Sequence, residues 1–326
     1  MPEVAGLPVV VGLGPVDPAL VGPVLDGRCR FVAEPTDADL SRAQGAIARA
    51  DAEVDRDFLE RTPLLRVVAR TGVGVERVDL DAATARGIAV VVTPGAGTAA
   101  VAEGAIAMAL HLVKRFGRLT TLVRTGAWAD RGDIPVGDLR GSVLGVVGYG
   151  RIGQRAAVLG AALGMTVLAH DPVSEPPADI RCTDLRDLVA RSDVITLHLP
   201  LLASTRHLVD EALLRHVKPG TILVNCGRGA LVDLDAVGTA LQEGRLGGVG
   251  LDVFDPEPPA HHPLFDHPDV VLTPHLMGLS RQATAATFVD AAQGVIDVLD
   301  GRPPAAVANP GWEQATTRTT RTLEAT

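Results

Sequence analysis

The chain has 326 residues, a formal net charge of -9 and 47% hydrophobic but only 3% aromatic residues, so it suits two domains with cores of Val, Ala and Leu. The acidic balance argues against nucleic acid or an anionic membrane as partner, and from Met1-Pro2-Glu3 and the lack of a long apolar run we expect neither a secretory leader nor a membrane span. Cys29, Cys182 and Cys226 are far apart and odd in number, which fits neither a disulfide framework nor a zinc spacing; we expect a cytoplasmic protein without a metal site.

Val9, Val10 and Val11 open a series of strands. Residues 17–25 read as a helix and 29–32 as a strand, and 46–48, 65–69 and 88–92 continue the strands, with helix-like segments between them. Such alternation predicts a parallel α/β sheet. Residues 93–98 form a loop, and a small-residue helix follows over 99–115 with Thr98 as its N-cap.

Residues 143–147 have the length and β-branched content of a buried parallel strand. The run breaks into Gly148-Tyr149-Gly150-Arg151-Ile152-Gly153, with glycines spaced G-x-G-x-x-G. An Ala-rich helix over 154–164 and a strand over 165–170 follow, and the strand ends at Asp171. Strand, glycine turn, helix, strand and acid make the dinucleotide-binding fingerprint. Gly148 permits the tight turn, Gly150 lets the backbone approach a pyrophosphate, and Gly153 lets the helix pack close to the strand. The helix N-terminus offers free N–H groups to the phosphates. Asp171, about 20 residues beyond the glycines, can accept hydrogen bonds from ribose hydroxyls. It favours NAD over NADP, because its charge repels a 2′-phosphate and no Arg or Lys follows in Pro172, Val173 and Ser174.

Strands are expected again over 193–200, 221–226, 249–253 and 270–275. Ligands of open α/β sheets bind at the carboxyl ends of strands. His198, the turn Cys226-Gly227-Arg228-Gly229, Asp252 and His275 should therefore gather around one cleft. A helix after Ser280 carries apolar Phe288, Val295 and Val298, and the tail from Gly311 reads as loosely ordered.

Hydride transfer to a carbonyl needs a group that stabilises the developing oxyanion and a group that delivers a proton. A histidine backed by a carboxylate suits the second role. An arginine fork suits the first, since it can engage the carbonyl and carboxylate of a 2-oxo acid together. Arg228, held between two glycines in what we expect to be an unusual turn, Glu257 in a Pro-rich segment, and His275 after Pro274 supply these parts. His198, in Leu197-His198-Leu199-Pro200, competes with His275 but looks more like a cofactor-side wall. His261 and His262 read as solvated, and Arg70 and Arg49 face either a phosphate or solvent.

Together the motifs resemble the D-isomer-specific 2-hydroxyacid dehydrogenases, in particular the phosphoglycerate dehydrogenase-like branch. The matching pieces run from Arg70-Thr71-Gly72-Val73-Gly74-Val75 and Val101-Ala102-Glu103 through the glycine turn and His198-Leu199-Pro200-Leu201. They continue with Asn225-Cys226-Gly227-Arg228-Gly229, Leu251-Asp252-Val253-Phe254, Glu257-Pro258 and Thr273-Pro274-His275. The resemblance implies two Rossmann-like, doubly wound parallel-sheet domains with a cleft between them. A discontinuous substrate domain (1–98 plus 286–326) and an NAD-binding domain (99–285) are expected, with the helix from Val101 as a crossover and a homodimer formed through the cofactor domains.

The resemblance makes Arg228 the substrate-binding and carbonyl-polarising residue, His275 the acid/base and Glu257 its partner. Backbone amides of Val73 and Gly74 would receive the substrate carboxylate, and Asp252 the nicotinamide carboxamide. His198, Pro200, Cys226, Gly227 and Gly278 would also border the cofactor. The reading is an NAD-dependent oxidoreductase that interconverts a 2-oxo acid and a D-2-hydroxy acid. The alternatives are a D-3-phosphoglycerate dehydrogenase proper and a non-catalytic NAD(H)-sensing protein. Three positions depart from the family pattern: the loop 92–97 lacks asparagines, Gly227 replaces Ala or Ser, and Met277 stands where Gly or Ala is common. We expect Met277 to narrow the pocket beside the nicotinamide.

Overall fold

The computed structural model describes residues 6–314. The first strands are β1 (Val9–Leu13), β2 (Arg30–Val32), β3 (Ala43–Ala48), β4 (Val67–Arg70) and β5 (Ala89–Val91), joined by helices α1 (Pro18–Leu25), α2 (Asp37–Leu40), α3 (Arg56–Arg61) and α4 (Leu80–Ala85). Helices α5 (Thr98–Val113) and α6 (Phe116–Thr125) come next. Strands β6 (Val143–Val147), β7 (Thr166–His170), β8 (Val194–Leu197), β9 (Thr221–Asn225), β10 (Leu246–Leu251) and β11 (Val270–Leu272) follow, with α7 (Arg151–Ala162), α8 (Leu185–Arg191), α9 (Glu211–Leu214) and α10 (Leu234–Gln242) between them. Helix α11 (Arg281–Leu299) is the last. The chain divides into two compact units, one formed by the chain up to Gly97 and again from Arg281, the other by Thr98–Ser280.

In the first unit the sheet is fully parallel, in the order β2-β1-β3-β4-β5. Its helices start where a short polar side chain takes an orphan N–H: Asp17, Thr36, Asp55 and Asp79 each accept from a residue two or three places on. The central strands are mostly apolar because helices cover both faces, and Val10, Val11, Ala46 and Ile47 are fully buried. Helix α11 packs on this sheet where the residues are small. A Cβ on Gly45 would lie 2.8 Å from Val295 Cγ1, and one on Gly294 would lie 2.6 Å from Val91 Cγ1. The chain end is also used: Val307 bridges to Val91, and buried Asn309 donates to Ile88 O and accepts from Val90 N. Trp312 packs partly buried against this core, so the expected loose tail does not begin at Gly311; its remainder, 315–326, lies outside the described residues.

In the second unit the parallel sheet runs β11-β10-β9-β8-β6-β7. Arg181 adds an isolated parallel bridge to Ala169 beyond β7, in the place of a further edge strand. With that bridge the winding is that of a dinucleotide-binding fold, and its switch point falls between β6 and β8. Helix α5 buries Ala105, Met108 and Leu112, and Gly250 and Gly248 leave room on β10 for the last two.

Several boundaries differ from the sequence reading. Helix α7 begins at Arg151, so Gly153 lies inside its first turn. Strands β8 and β11 stop at Leu197 and Leu272, which leaves His198 and His275 on loops just past the strand ends. Thr98 is the first residue of α5 and not the residue before it, and its buried hydroxyl has no hydrogen-bond partner among the described residues, so it is not the N-cap. Among the described residues no helix is long and apolar enough to cross a membrane.

Candidate active site

The glycine turn lies at the switch point. Gly148 has φ +94°, and a Cβ there would stand 2.7 Å from the His198 carbonyl carbon. A Cβ on Gly153 would collide with Gly148 O, so helix and strand approach as the fingerprint requires. Gly150, the residue before Arg151, opens onto empty space with nothing within 4 Å of its Cβ direction. This open face lies against the N-terminus of the 12-residue α7, whose first N–H groups can receive an anion. Gln154 Nε2 donates to Tyr149 O at 3.0 Å and steadies the turn beside Ile152.

Asp171 accepts from Tyr149 N at 2.7 Å and from Val173 N and Ser174 N at 2.8 and 2.9 Å. Burial pushes its carboxyl up, but these three N–H groups outweigh burial and hold it below the ordinary value. The charged carboxylate thus ties the acid to the glycine turn.

His198 is neutral. Burial without a charged partner pushes its imidazole from 6.5 down to about 4. Nε2 pairs with Thr196 Oγ1 at 3.0 Å, and Nδ1 is buried without a partner among the described residues. A proton donor at neutral pH needs the opposite environment, so His198 is not suited to that role. Pro200 continues this loop, and its carbonyl accepts from Thr205 Oγ1 at 2.8 Å. Cys226 is buried beside Asp252, and its thiol is pushed up to about 12, first by burial and then by that carboxylate.

Arg228 does not sit in an unusual turn. Its φ of -140° and ψ of 142° are ordinary extended values. The flanking glycines answer to close packing: a Cβ on Gly229 would collide with the Phe254 carbonyl carbon, and one on Gly227 would lie 3.2 Å from Leu199 O. Buried Asn225 organises the turn. Its Nδ2 donates to Arg228 O at 2.9 Å, and its Oδ1 accepts from Gly227 N at 3.0 Å. Sequence reasoning gave Asn225 no role, although an Asn that ends a strand before Cys-Gly is the local signal of a side-chain-closed turn.

His275 Nδ1 lies 2.8 Å from Glu257 Oε2. The carboxylate can only accept, so Nδ1 carries the hydrogen and Nε2 is left as the other ring nitrogen. Glu257 Oε1 accepts from Phe254 N at 2.9 Å, which fixes the carboxylate in turn. His275 has φ +56°, a left-handed conformation, and its side chain is 51% exposed.

Asp252 is 2% exposed and holds the loop that carries His275. Its carboxylate accepts from Thr273 Oγ1 at 2.6 Å, Leu276 N at 2.9 Å and Met277 N at 3.2 Å. The Met277 side chain turns onto α5, with Sδ against the place a Cβ on Gly104 would take, and packs against the core of this unit instead of projecting into a pocket. Gly278 faces Val101 of α5.

Other expected positions serve the fold. Arg70 is 3% exposed, and its fork donates to the carbonyls of Gly74, Arg49, Ala50 and Ala52. Those donors are engaged with backbone, so Arg70 meets neither phosphate nor solvent. Val73 and Gly74 follow on the loop after β4, with Val73 exposed. Arg49 lies over the Phe288 ring, 5.5 Å from its centre. His262 is only partly exposed, and its Nδ1 accepts from Leu264 N and its Nε2 faces Asp235 at 3.1 Å, whereas His261 is exposed. Among the described residues no group of three or more His, Cys, Asp or Glu could hold a metal ion.

Residues 106–277 match the D-isomer specific 2-hydroxyacid dehydrogenase, NAD binding domain. The chain belongs to the D-isomer specific 2-hydroxyacid dehydrogenases. It is 36% identical to the D-3-phosphoglycerate dehydrogenase of Methanocaldococcus jannaschii, over 81% of this chain and 51% of that protein. The chain spans about half the length of the curated relatives it matches. Among solved structures, the TT0316 protein from Thermus thermophilus superposes with a TM-score of 0.81 at 36% identity, over 93% of this chain and 100% of that one. The D-lactate dehydrogenase from Aquifex aeolicus, complexed with NAD and lactic acid, gives 0.77 at 29% identity, over 90% and 96%. These proteins share the two Rossmann-like domains of this chain.

Proposed function

We propose that the chain is an NAD-dependent oxidoreductase that interconverts a small 2-oxo acid and its D-2-hydroxy acid. The observation that carries this reading is the 2.8 Å pair of His275 Nδ1 and Glu257 Oε2, in the same compact unit as the glycine turn. Bound NADH supplies the hydride. Arg228 engages the carbonyl and carboxylate oxygens of the substrate and draws charge toward the carbonyl oxygen. His275 delivers the proton from Nε2 to that oxygen in reduction and takes it back in oxidation, while Glu257 stabilises the imidazolium. The amides of Val73 and Gly74 are assigned to the substrate carboxylate, on the family resemblance. Cofactor placement on Gly148 through Gly153 is supported by the open face of Gly150. A D-3-phosphoglycerate substrate would need a cation for its phosphate, and Arg70 does not supply it.

A homodimer is part of the proposal. Helix α6 has no buried residue and exposes Phe116 and Val123, and Trp128 in the following turn is 62% exposed. Three apolar side chains in one surface stretch favour a covered face, which sedimentation would test. A cytoplasmic location is proposed on the cysteine usage alone.

The test is NADH oxidation against a panel of 2-oxo acids, with His275→Ala alongside. Turnover of at least one small 2-oxo acid is expected, and the variant should lose about 10²- to 10⁴-fold in rate. If no acid is reduced, the dehydrogenase reading fails in favour of a nucleotide sensor. Undiminished activity in His275→Ala would remove its acid/base role.

A further inference from the structure

His275 is held in a backbone conformation that L side chains avoid, with φ +56°. Such a conformation persists only when neighbouring structure imposes it. From one side the restraint is polar: Asp252 takes the N–H groups of Leu276 and Met277, and its own carbonyl accepts from His275 N at 2.8 Å. Leu276 is half exposed and gives the loop no apolar grip.

Met277 does. A Cβ built on Gly104 would collide with Met277 Sδ, and would stand 2.8 Å from its Cγ and 3.0 Å from its Cβ. The length of the side chain therefore lies in a notch that only glycine leaves open. Val101 and Met108 continue the same face of α5 at helical spacing, and they meet Gly278 of the loop and Gly250 of β10. One helix face thus touches the loop just after His275 and the strand that leads to Asp252. An unbranched thioether suits an irregular slot of this kind.

We propose that Met277 is a positioning residue: seated in the Gly104 notch, it fixes the His275 loop so that Nδ1 stays on Glu257 and Nε2 is presented to the substrate. This rests on the dehydrogenase reading for its effect on turnover, but the anchoring itself does not.

Four variants test it: Met277→Ala, Met277→Leu, Gly104→Ala and the double Gly104→Ala/Met277→Ala. Met277→Ala frees the loop, and kcat should fall about tenfold, since small misplacements of a reacting group are costly. NADH affinity, read by fluorescence quenching, should stay within about twofold, because the glycine turn is untouched. Met277→Leu keeps the volume and should retain most of kcat. Gly104→Ala expels the thioether and should lower kcat much as Met277→Ala does. The double variant fills the notch from the helix side and should lose less than the product of the two single losses. Amide hydrogen exchange over 275–278 gives a readout independent of turnover, and it should quicken in both single variants.

If the wild type reduces no 2-oxo acid, the functional reading fails, and the exchange data alone judge the anchor. Unchanged exchange in Met277→Ala and Gly104→Ala overturns the proposal. So does a lowered melting temperature with kcat intact, or a double variant whose loss equals the product.

Discussion

Thr273 Oγ1 donates to Asp252 Oδ1 at 2.6 Å, so a hydroxyl just past β11 is locked to a carboxylate just past β10. Two further N–H donors share that carboxylate, and an acceptor with no proton of its own is what the site requires. Asp252→Asn turns an NH₂ toward one of these donors. We expect a loss of about 2–3 kcal/mol of stability by urea denaturation, and a lower kcat as the His275 loop loosens. A variant as stable as wild type would show that the carboxylate does not anchor the loop.

His198 makes stability depend on pH. Its folded pKa of about 4 lies below the ordinary 6.5, so between these values the unfolded chain binds a proton that the folded one refuses. Its contribution is complete above about pH 6.5 and is lost as pH falls toward 4, up to about 3 kcal/mol. Denaturation midpoints for wild type and His198→Gln at pH 7 and pH 4.5 measure it. The wild type should lose more over that interval than the variant.

Cys226 should be inert. A buried thiol held near pKa 12 presents almost no thiolate at pH 8. Iodoacetamide followed by peptide mapping should leave it unmodified in the native protein and alkylate it in urea. Labelling of native Cys226 at a rate typical of free cysteine would contradict its burial.

Arg70 is a test of geometry over charge. Its three nitrogens reach four carbonyls, and a lysine ammonium cannot span them. Arg70→Lys should lower stability by about 2–4 kcal/mol, read from the denaturant midpoint. Equal stability would mean that charge alone mattered there.

What could be read from the residues in order was whatever is encoded locally. The strand runs, the glycine turn, the acid at Asp171 and the order of Arg228, Glu257 and His275 depend on short patterns, and each expected strand is present although several of their ends differ. The misjudged points depend on backbone that arrives from far away in sequence. Gly227 and Gly229 looked like conformational glycines, but Leu199 and Phe254 set their size. Met277 looked like a pocket residue, and Gly104, more than 170 positions earlier, takes its side chain. Two histidines at two strand ends look alike in one dimension; burial makes one neutral, and a carboxylate faces the other. Arg70 read as an open question because a buried arginine that serves only carbonyls has no sequence signature.

The three motif glycines answer to two different masters. A methyl group on Gly148 or Gly153 collides with the protein's own backbone, while on Gly150 it meets nothing within 4 Å. Any screen that scores expression, solubility or melting would reject the first two alanines and pass the third. On the proposed cofactor placement, a lesion at Gly150 would yield well-behaved material and go unnoticed until nucleotide was added. On that placement the scaffold and its recognition of a dinucleotide are separable at a single carbon atom.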